Sequence, residues 1–306
     1  MKKLTAIFFT LIIAANLFAN QNKMNIDTDL DVNIQIDTDI DIDTKDEVTE
    51  AINIEELAIY SPFKLDIKKD SLILGSAITL LATDLVLSCI DNNTTVIDAK
   101  LDKSDVNKID RIIMRPYSKK LDLLGTGMEL VTAMTPLVFI SVPKSEWGII
   151  ALMYSETMLF AYGFKEFAKA VFDRPRPYMY FDNFPIEEVQ KGDWNSSFFS
   201  GHTTLSFAAA TFTSYVFCKY NPDSKWKIPV IATSYTFAAA TAAMRILSGN
   251  HFLTDVAIGA VVGSITGLLV PFLHYVNPSM PVGVIGNTEK AYLSVLPNSL
   301  SFTVRL

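Results

Sequence analysis

Eight residues whose types suit phosphate chemistry lie in three short stretches of this 306-residue chain. The stretches read KAVFDRPRP at 169–177, SGH at 200–202 and RILSGNHFLTD at 245–255, and each borders an apolar segment. Three cations, two imidazoles and a carboxylate can hold a phosphate and break its ester bond without a metal, because phosphoryl transfer depends mainly on positioning and charge stabilisation. The eight residues are Lys169, Arg176, Ser200, Gly201, His202, Arg245, His251 and Asp255.

The three cations predict a phosphate-binding site. Arg176 and Arg245 can each bind two phosphate oxygens through a planar fork, whereas Lys169 acts as a point charge. Pro175 and Pro177 are expected to end the preceding helix and to hold Arg176 on extended backbone. An isolated basic cluster at a helix end would more often be a membrane-surface anchor, and it is the other two stretches that favour phosphate binding.

The SGH stretch predicts the start of a helix that binds phosphate. Ser200 suits the N-cap position, and the free backbone N–H groups of a helix start attract anions. Gly201 would let the backbone come close to the ligand. A plain capping turn accounts for Ser200 and Gly201 but leaves His202 unexplained, so we assign all three to the site.

His251 and Asp255 lie four residues apart, a spacing that places two side chains on one face of a helix. Asp255 is then expected to hydrogen-bond one ring nitrogen of His251, leaving the other nitrogen to attack phosphorus. The alternatives are a capping pair near a membrane surface and a zinc site, which three neighbouring cations would disfavour. His274 matches no motif and is interpreted as structural or interfacial; Lys165 and Arg174 lie off the motif spacing and are not assigned.

Taken together, the three stretches resemble the motifs of the type 2 phosphatidic acid phosphatase (PAP2) superfamily, which also includes bacterial non-specific acid phosphatases and vanadium haloperoxidases. Its motifs are Lys-x6-Arg-Pro, Pro-Ser-Gly-His and Ser-Arg-x5-His-x3-Asp. Phe199 and Met244 stand where the motifs have proline and serine, changes that affect the shape of the pocket more than its chemistry. The resemblance covers roughly residues 120–275.

The resemblance implies a role for each motif residue. His251 would form a phosphohistidine, oriented by Asp255, and His202 would protonate the leaving oxygen and later activate water. Lys169, Arg176, Arg245 and the SGH backbone would bind the phosphate. Neither a metal nor another cofactor is expected.

The charge of the chain is concentrated near its N-terminus. Residues 21–60 hold 12 acids and 2 bases, whereas residues 61–306 hold 21 acids and 22 bases. Basic residues are neither in excess nor interleaved with aromatics, so a nucleic-acid partner is not predicted. The alternating aspartates of the acidic stretch lack the glycine and spacing of an EF-hand loop, which disfavours calcium binding.

The predicted organisation has four parts. Lys2, Lys3 and the apolar run that follows them resemble a secretory signal. Two short alternating runs flank Pro297 and predict a hairpin in the tail. The parts are a signal peptide at 1–19, an acidic low-complexity linker at 20–60, a PAP2-like helical phosphatase domain at 61–276 and a C-terminal tail at 277–306.

The fold predicted for the main domain is an all-α bundle of about six apolar helices, embedded in a membrane. Half of all residues are hydrophobic, strand alternation is largely absent, and several segments approach the roughly 20 residues that cross a bilayer. The helical segments are expected at 71–90, 121–142, 147–169, 203–218, 228–247 and 255–276.

These features predict a metal-independent phosphatase that acts on a phosphomonoester or diphosphate, with a phosphorylated lipid or a small phosphoester as substrate and membrane lipids as its surroundings. It would lie in the bacterial inner membrane with its site facing the periplasm. A soluble periplasmic non-specific acid phosphatase and a non-enzymatic helical membrane protein are the alternatives.

Overall fold

The computed structural model of the chain describes residues 61–90, 101–190, 192–276, 290–296 and 299–305. The predicted signal peptide and acidic linker lie outside these residues. The described residues form eight α-helices: α1 Ile67–Ile90, α2 Lys108–Ile113, α3 Lys119–Ala133, α4 Trp147–Val171, α5 Ile186–Val189, α6 Gly201–Tyr220, α7 Lys227–Leu247 and α8 Leu253–His274. Short 3-10 helices span Lys103–Asp105, Thr135–Ser141, Lys144–Glu146 and Pro177–Tyr180.

The six long helices confirm the predicted helical bundle, and each lies at its expected position within a few residues. One segment differs: the run expected at 121–142 is α-helical only to Ala133 and continues as a 3-10 helix. Pro136 lies in the first turn of that 3-10 helix and cannot donate a backbone hydrogen bond, which ends the regular α-helix before it. The short helices α2 and α5 were not predicted because they are too short to show a helical period.

Helix α6 is the centre of the bundle. It contacts α3, α4, α7 and α8, while α1 packs on α4 and α3 packs on α7. Almost every side chain on the first four turns of α6 is buried, and three consecutive alanines, 208–210, are fully buried. Small side chains all round a helix allow neighbours to approach from every direction, so α6 can serve as the common packing partner.

Three glycines on one face of α8 allow its backbone to lie against α6. A Cβ atom at Gly259, Gly263 or Gly267 would lie 2.7, 2.2 or 2.3 Å from a carbonyl oxygen of α6 or its cap. The four-residue spacing places all three glycines on the same side of the helix. This contact aligns the N-terminus of α6, which carries the SGH stretch, beside the N-terminus of α8.

The opposite face of α8 is apolar and exposed. Its large side chains recur every three or four residues, the period of one helix face. Four helical segments are long and apolar enough to cross a bilayer: Ile67–Leu87, Lys119–Ser141, Lys227–Leu247 and Leu253–His274. An exposed apolar stripe of this length fits lipid rather than water, and the protein is a membrane protein. The exposed residues of α8 are Ile258, Val261, Ile265, Leu268 and Phe272.

The chain divides into two compact units, one of which contains Leu65–His274 and therefore the bundle. The other unit contains the tail, where β1 (Lys290–Leu296) pairs with β2 (Ser299–Arg305) as an antiparallel hairpin. In its register Leu293 lies opposite Phe302. The two strands cover the positions at which the alternating pattern of the tail predicts a hairpin.

We expect Gly263→Ala to destabilise the bundle by about 1–3 kcal/mol, the usual range for overpacking a tight interior contact. The added methyl group would meet the backbone oxygen of Thr204, which cannot rotate away. Thermal unfolding of the purified protein in detergent measures the effect. Gly127→Ala on α3 is the matched control, because a Cβ atom there meets nothing within 4 Å. Equal stability of the two variants would contradict the close backbone contact.

Candidate active site

A cavity of about 220 Å³ opens at one end of the bundle, where the C-terminal ends of α4 and α7 meet the N-terminal ends of α3, α6 and α8. Six of the eight predicted residues line it, namely Lys169, Arg176, Gly201, His202, Arg245 and His251. The other two, Ser200 and Asp255, are fully buried beside it. The cavity is also lined by Asp122, Thr126, Lys165, Tyr178, Glu188, Asp193 and Asn250.

The ring of His251 is buried and held by the backbone of the preceding loop. Its Nδ1 atom lies 2.8 Å from the carbonyl oxygen of Ser197. A carbonyl can only accept, so Nδ1 carries the proton and Nε2 keeps its lone pair. Burial lowers the pKa of His251, and the cations Arg176 and Arg245 lower it further, so the ring is neutral. An uncharged imidazole with a free Nε2 is the form that can act as a nucleophile.

Asp255 does not make the hydrogen bond to His251 that the four-residue spacing predicts. Its Oδ2 atom lies 3.8 Å from Nδ1 of His251, beyond hydrogen-bond distance. The reason is that α8 begins only at Leu253, so His251 lies outside the helix. Asp255 accepts instead from the hydroxyl of Ser197 at 2.6 Å and from the backbone N–H of Phe252 at 2.9 Å. It therefore orients His251 indirectly, by fixing the residue whose carbonyl binds the ring.

Arg174 connects this arrangement to a second buried carboxylate. Its guanidinium bonds Asp255 through one nitrogen and Asp110 of α2 through another, at 2.7 Å. Asp110 also accepts from the hydroxyl of Thr254 at 2.6 Å and from Asn107 at 2.6 Å. Burial raises the pKa of Asp110, but these hydrogen bonds more than offset it and the pKa lies below its ordinary value. Asp110 is thus an anion that holds Arg174 against Asp255.

Arg245 enters the cavity from the last turn of α7 and is nearly fully buried. Its Nη1 donates to Asp122, which also accepts from Asn250 at 3.1 Å and from Tyr117 at 3.0 Å. Its Nε has no hydrogen-bond partner among the described residues. A buried donor left open beside a cavity is suited to an anionic oxygen.

Arg176 lies on extended backbone, as the flanking prolines predict, with φ −71° and ψ 151°. Its side chain is fixed by Asp193, through the backbone oxygen at 2.9 Å and the carboxylate at 2.5 Å. Its remaining nitrogen, Nη1, lies 3.5 Å from Nε2 of His251. Arg176 can therefore place a phosphate oxygen next to Nε2 of His251.

Two lysines one turn apart on α4 face the same cavity. Lys169 was predicted, whereas Lys165 was left unassigned because it lies off the motif spacing. Its position four residues before Lys169 was the available signal. Glu166 lies between them, with carboxylate oxygens 2.5 Å from the Lys165 nitrogen and 4.0 Å from that of Lys169.

The SGH stretch begins α6 as predicted, with Ser200 at the N-cap. The Ser200 hydroxyl does not cap the helix but pairs with the hydroxyl of Thr203 at 2.9 Å. Gly201 leaves room for Lys165, whose side chain a Cβ atom would meet at 2.2 Å. His202 projects into the cavity, where its Nε2 lies 3.3 Å from Glu129 and 3.2 Å from Thr126.

The carboxylates that hold these cations and histidines could not be assigned to the site from the sequence. Each lies on an element outside the three stretches or on the loop between two of them, and a single acidic residue on an apolar helix carries no spacing signal. Only the folded chain shows that they surround one cavity. The carboxylates are Asp110, Asp122, Glu129 and Asp193.

We expect Arg174→Gln to lower kcat about 10–100-fold with a smaller effect on KM, because hydrogen bonds between charged groups contribute about 1.5–3 kcal/mol. Arg174 holds Asp255 but does not line the cavity, so substrate binding is preserved. Steady-state hydrolysis of a phosphate ester measures both constants. Arg111→Gln is the control, since within the described part of the chain Arg111 donates to the backbone carbonyls of Ser104 and Val106, away from the cavity. An equal loss in both variants would contradict the positioning role.

Part of the chain matches a known protein family. Residues 150–278 match the model of the PAP2 superfamily, and no curated protein matches the chain. Two solved structures are similar. A transmembrane PAP2-type phosphatidylglycerolphosphate phosphatase from Bacillus subtilis is 20% identical, with 64% of this chain and 94% of that chain covered and a TM-score of 0.36. LpxE from Aquifex aeolicus is 21% identical, with 56% and 98% covered and a TM-score of 0.38. Residues 150–278, which carry all three motifs, are thus similar to the PAP2 superfamily.

Proposed function

We propose that this protein is a phosphatase that hydrolyses a phosphomonoester or diphosphate of a lipid, without a metal and through a phosphohistidine. One observation carries the proposal: the unprotonated Nε2 of His251 faces a cavity that Arg176, Arg245 and His202 also line. A nucleophile, counter-charges for phosphate and a second imidazole then share one small space.

In the first step the cations hold the phosphate oxygens and Nε2 of His251 attacks phosphorus. The bond from phosphorus to the leaving oxygen breaks, and His202 donates a proton to that oxygen. The ring of His251 becomes positively charged when its nitrogen bonds phosphorus, and its Nδ1–H still donates to Ser197. Asp255, through Ser197, keeps the ring aimed while this charge develops.

In the second step water attacks the phosphohistidine. His202, now neutral, accepts a proton from the water, and the bond between phosphorus and His251 breaks to release inorganic phosphate. Both histidines return to their starting forms, so the cycle consumes one water for each ester bond.

His202 must be protonated to act first as an acid. Burial lowers its pKa, and Arg245 lowers it further. A phosphate group in the cavity has the opposite effect, because its negative charge favours the imidazolium form. The Glu129 carboxylate at 3.3 Å can accept the imidazolium N–H. Substrate binding itself therefore prepares the acid.

The position of the site favours a lipid substrate. Asp122 near the start of α3, Arg245 near the end of α7 and Asp255 at the start of α8 all lie at one end of membrane-crossing helices. A phosphate that enters there would lie at the depth of lipid headgroups. Of the two alternative functions, a soluble periplasmic acid phosphatase is disfavoured by the exposed apolar face of α8. A non-enzymatic membrane protein is disfavoured by the cavity that gathers the motif residues.

The nucleophile assignment predicts opposite behaviour for the two histidine variants. With a 32P-labelled aryl phosphate, whose leaving group needs little acid assistance, His251→Ala should form no labelled enzyme and show no turnover. His202→Ala should accumulate labelled enzyme, because the acceptor of the water proton is missing. The label should survive alkali and be released by acid, as a phosphorus–nitrogen bond is. Labelled His251→Ala protein would contradict the assignment.

The charge arrangement predicts that EDTA leaves turnover largely intact and that vanadate inhibits. Vanadate adopts the five-coordinate geometry of the transition state, for which the three cations and His251 are arranged. Initial rates are measured well below the unfolding temperature, with and without EDTA. Loss of activity in EDTA and recovery with zinc or magnesium at that temperature would show that a metal takes part in the reaction.

We further propose that the site faces the periplasm. The loop between α6 and α7, with Lys219, Lys225 and Lys227 in or beside it, lies at the helix ends opposite the site. Basic loops favour the cytoplasm, which supports a site on the periplasmic side. The seven bases of residues 91–120 favour the reverse orientation. The predicted signal peptide favours it too, because it exports the segment before α1, and the first turn of α1 lies against the end of α8 that is remote from the site.

Cysteine labelling in intact cells distinguishes the two orientations. In a background without Cys89 and Cys218, Asn183→Cys on the site side should react with an impermeant maleimide, and Asp223→Cys should react only after lysis. Both positions are exposed, so accessibility is matched. The reverse pattern would place the site in the cytoplasm, and labelling of both would contradict a membrane crossing between them.

A further inference from the structure

A second cluster of ionisable side chains lies away from the active site. Asp70 in the first turn of α1, Glu156 on α4 and His274 at the end of α8 meet in the bundle. Nε2 of His274 lies 2.7 Å from Asp70 and 3.5 Å from Glu156. One ligand atom from each residue lies within 4.8 Å of the others. The helix between Asp255 and His274 separates this cluster from the active site by about 28 Å.

Glu156 is the unusual member. Its side chain is fully buried, and neither carboxylate oxygen has a hydrogen-bond partner among the described residues. No lysine or arginine of the described residues forms an ion pair with Glu156 or Asp70. A buried carboxylate without a partner is strongly unfavourable, because nothing replaces the water it has lost. Its oxygen is nevertheless directed at His274.

The orientation of His274 points to a cation. Its Nδ1 lies 2.8 Å from the carbonyl oxygen of Val270, to which it must donate. Nε2 is then directed at two carboxylates, which can only accept when they are ionised. A second ring proton on Nε2 could be donated to Asp70, but it would supply one positive charge against two buried carboxylates. A divalent cation between the three atoms balances both. Histidine ligands of metals characteristically donate their other N–H to a backbone carbonyl in this way.

We propose that Asp70, Glu156 and His274 bind one divalent transition-metal ion of the zinc type. One imidazole and two carboxylates suit zinc better than calcium or magnesium, which prefer oxygen alone. Two ligands about 2.1 Å from a tetrahedral ion are about 3.4 Å apart, close to the separation of Glu156 and His274. Asp70 must retreat slightly from His274, and its side chain, 13% exposed, provides the entry route.

The ion would have a structural role. Its two positive charges balance the two carboxylates, and it joins α1 and α4 to the end of α8 that is remote from the reaction. It takes no part in phosphate hydrolysis, so this proposal and the proposed function stand or fall separately.

The test is zinc binding to the full-length, tag-free protein in detergent after treatment with EDTA. Calorimetric titration with zinc chloride should give one tight equivalent. Zinc at a hundred times its dissociation constant should raise Tm by about 5–10 °C. Cobalt(II) in place of zinc should give the visible absorption of a four- or five-coordinate nitrogen–oxygen site.

Variants locate the ion. Glu156→Gln and Asp70→Asn each keep the size of the side chain. Each single variant should abolish the tight equivalent of zinc and the Tm shift. Should one of them fail to fold, the other still decides the question. His251→Ala, in which only the active site is altered, should retain both. No tight equivalent in the wild-type protein, or an equivalent lost in His251→Ala and kept in Glu156→Gln, would overturn the proposal.

Discussion

The backbone contact between α6 and α8 is the constraint on which the rest of the structure depends. It requires glycine at 259, 263 and 267, because any Cβ atom would meet the backbone of α6 or its cap. The contact extends to the helix starts, where the backbone N–H of Ser200 donates to the carbonyl of Asp255 at 3.1 Å. His202, which follows Ser200, and His251, which precedes α8, consequently face one cavity.

Charge balance around that cavity is the second constraint. Buried guanidinium groups are unfavourable unless they are paired, and each arginine here has a carboxylate: Asp122 for Arg245, Asp193 for Arg176. The carboxylates hold the side chains in place without using every donor. Nε of Arg245 has no partner among the described residues. The site is thus rigid and still able to bind an anion, which is what preorganised electrostatic catalysis requires.

Helix α8 relates the two clusters of the bundle. Its first turn carries Asp255, which is linked to His251 through Ser197, and its last residue is His274 in the second cluster. Because the helix is long enough to cross a bilayer, the two clusters lie about one bilayer thickness apart. An ion at the far end would hold α1, α4 and α8 together, while the near end would carry out the proposed hydrolysis.

The sequence by itself determined the helical class and the six long helices, and it predicted eight site residues that the structure brings to or beside one cavity. Helix length, apolar content and motif spacing are local properties of the chain. Only the tertiary structure decided how those residues act on each other. The four-residue spacing of His251 and Asp255 suggested a direct hydrogen bond, but α8 begins between them and Ser197 connects them instead. The roles of Asp110 and Glu156 depend on partners in other parts of the chain, Arg174 and His274. Burial and charge pairing follow from these tertiary contacts, which no local sequence pattern shows.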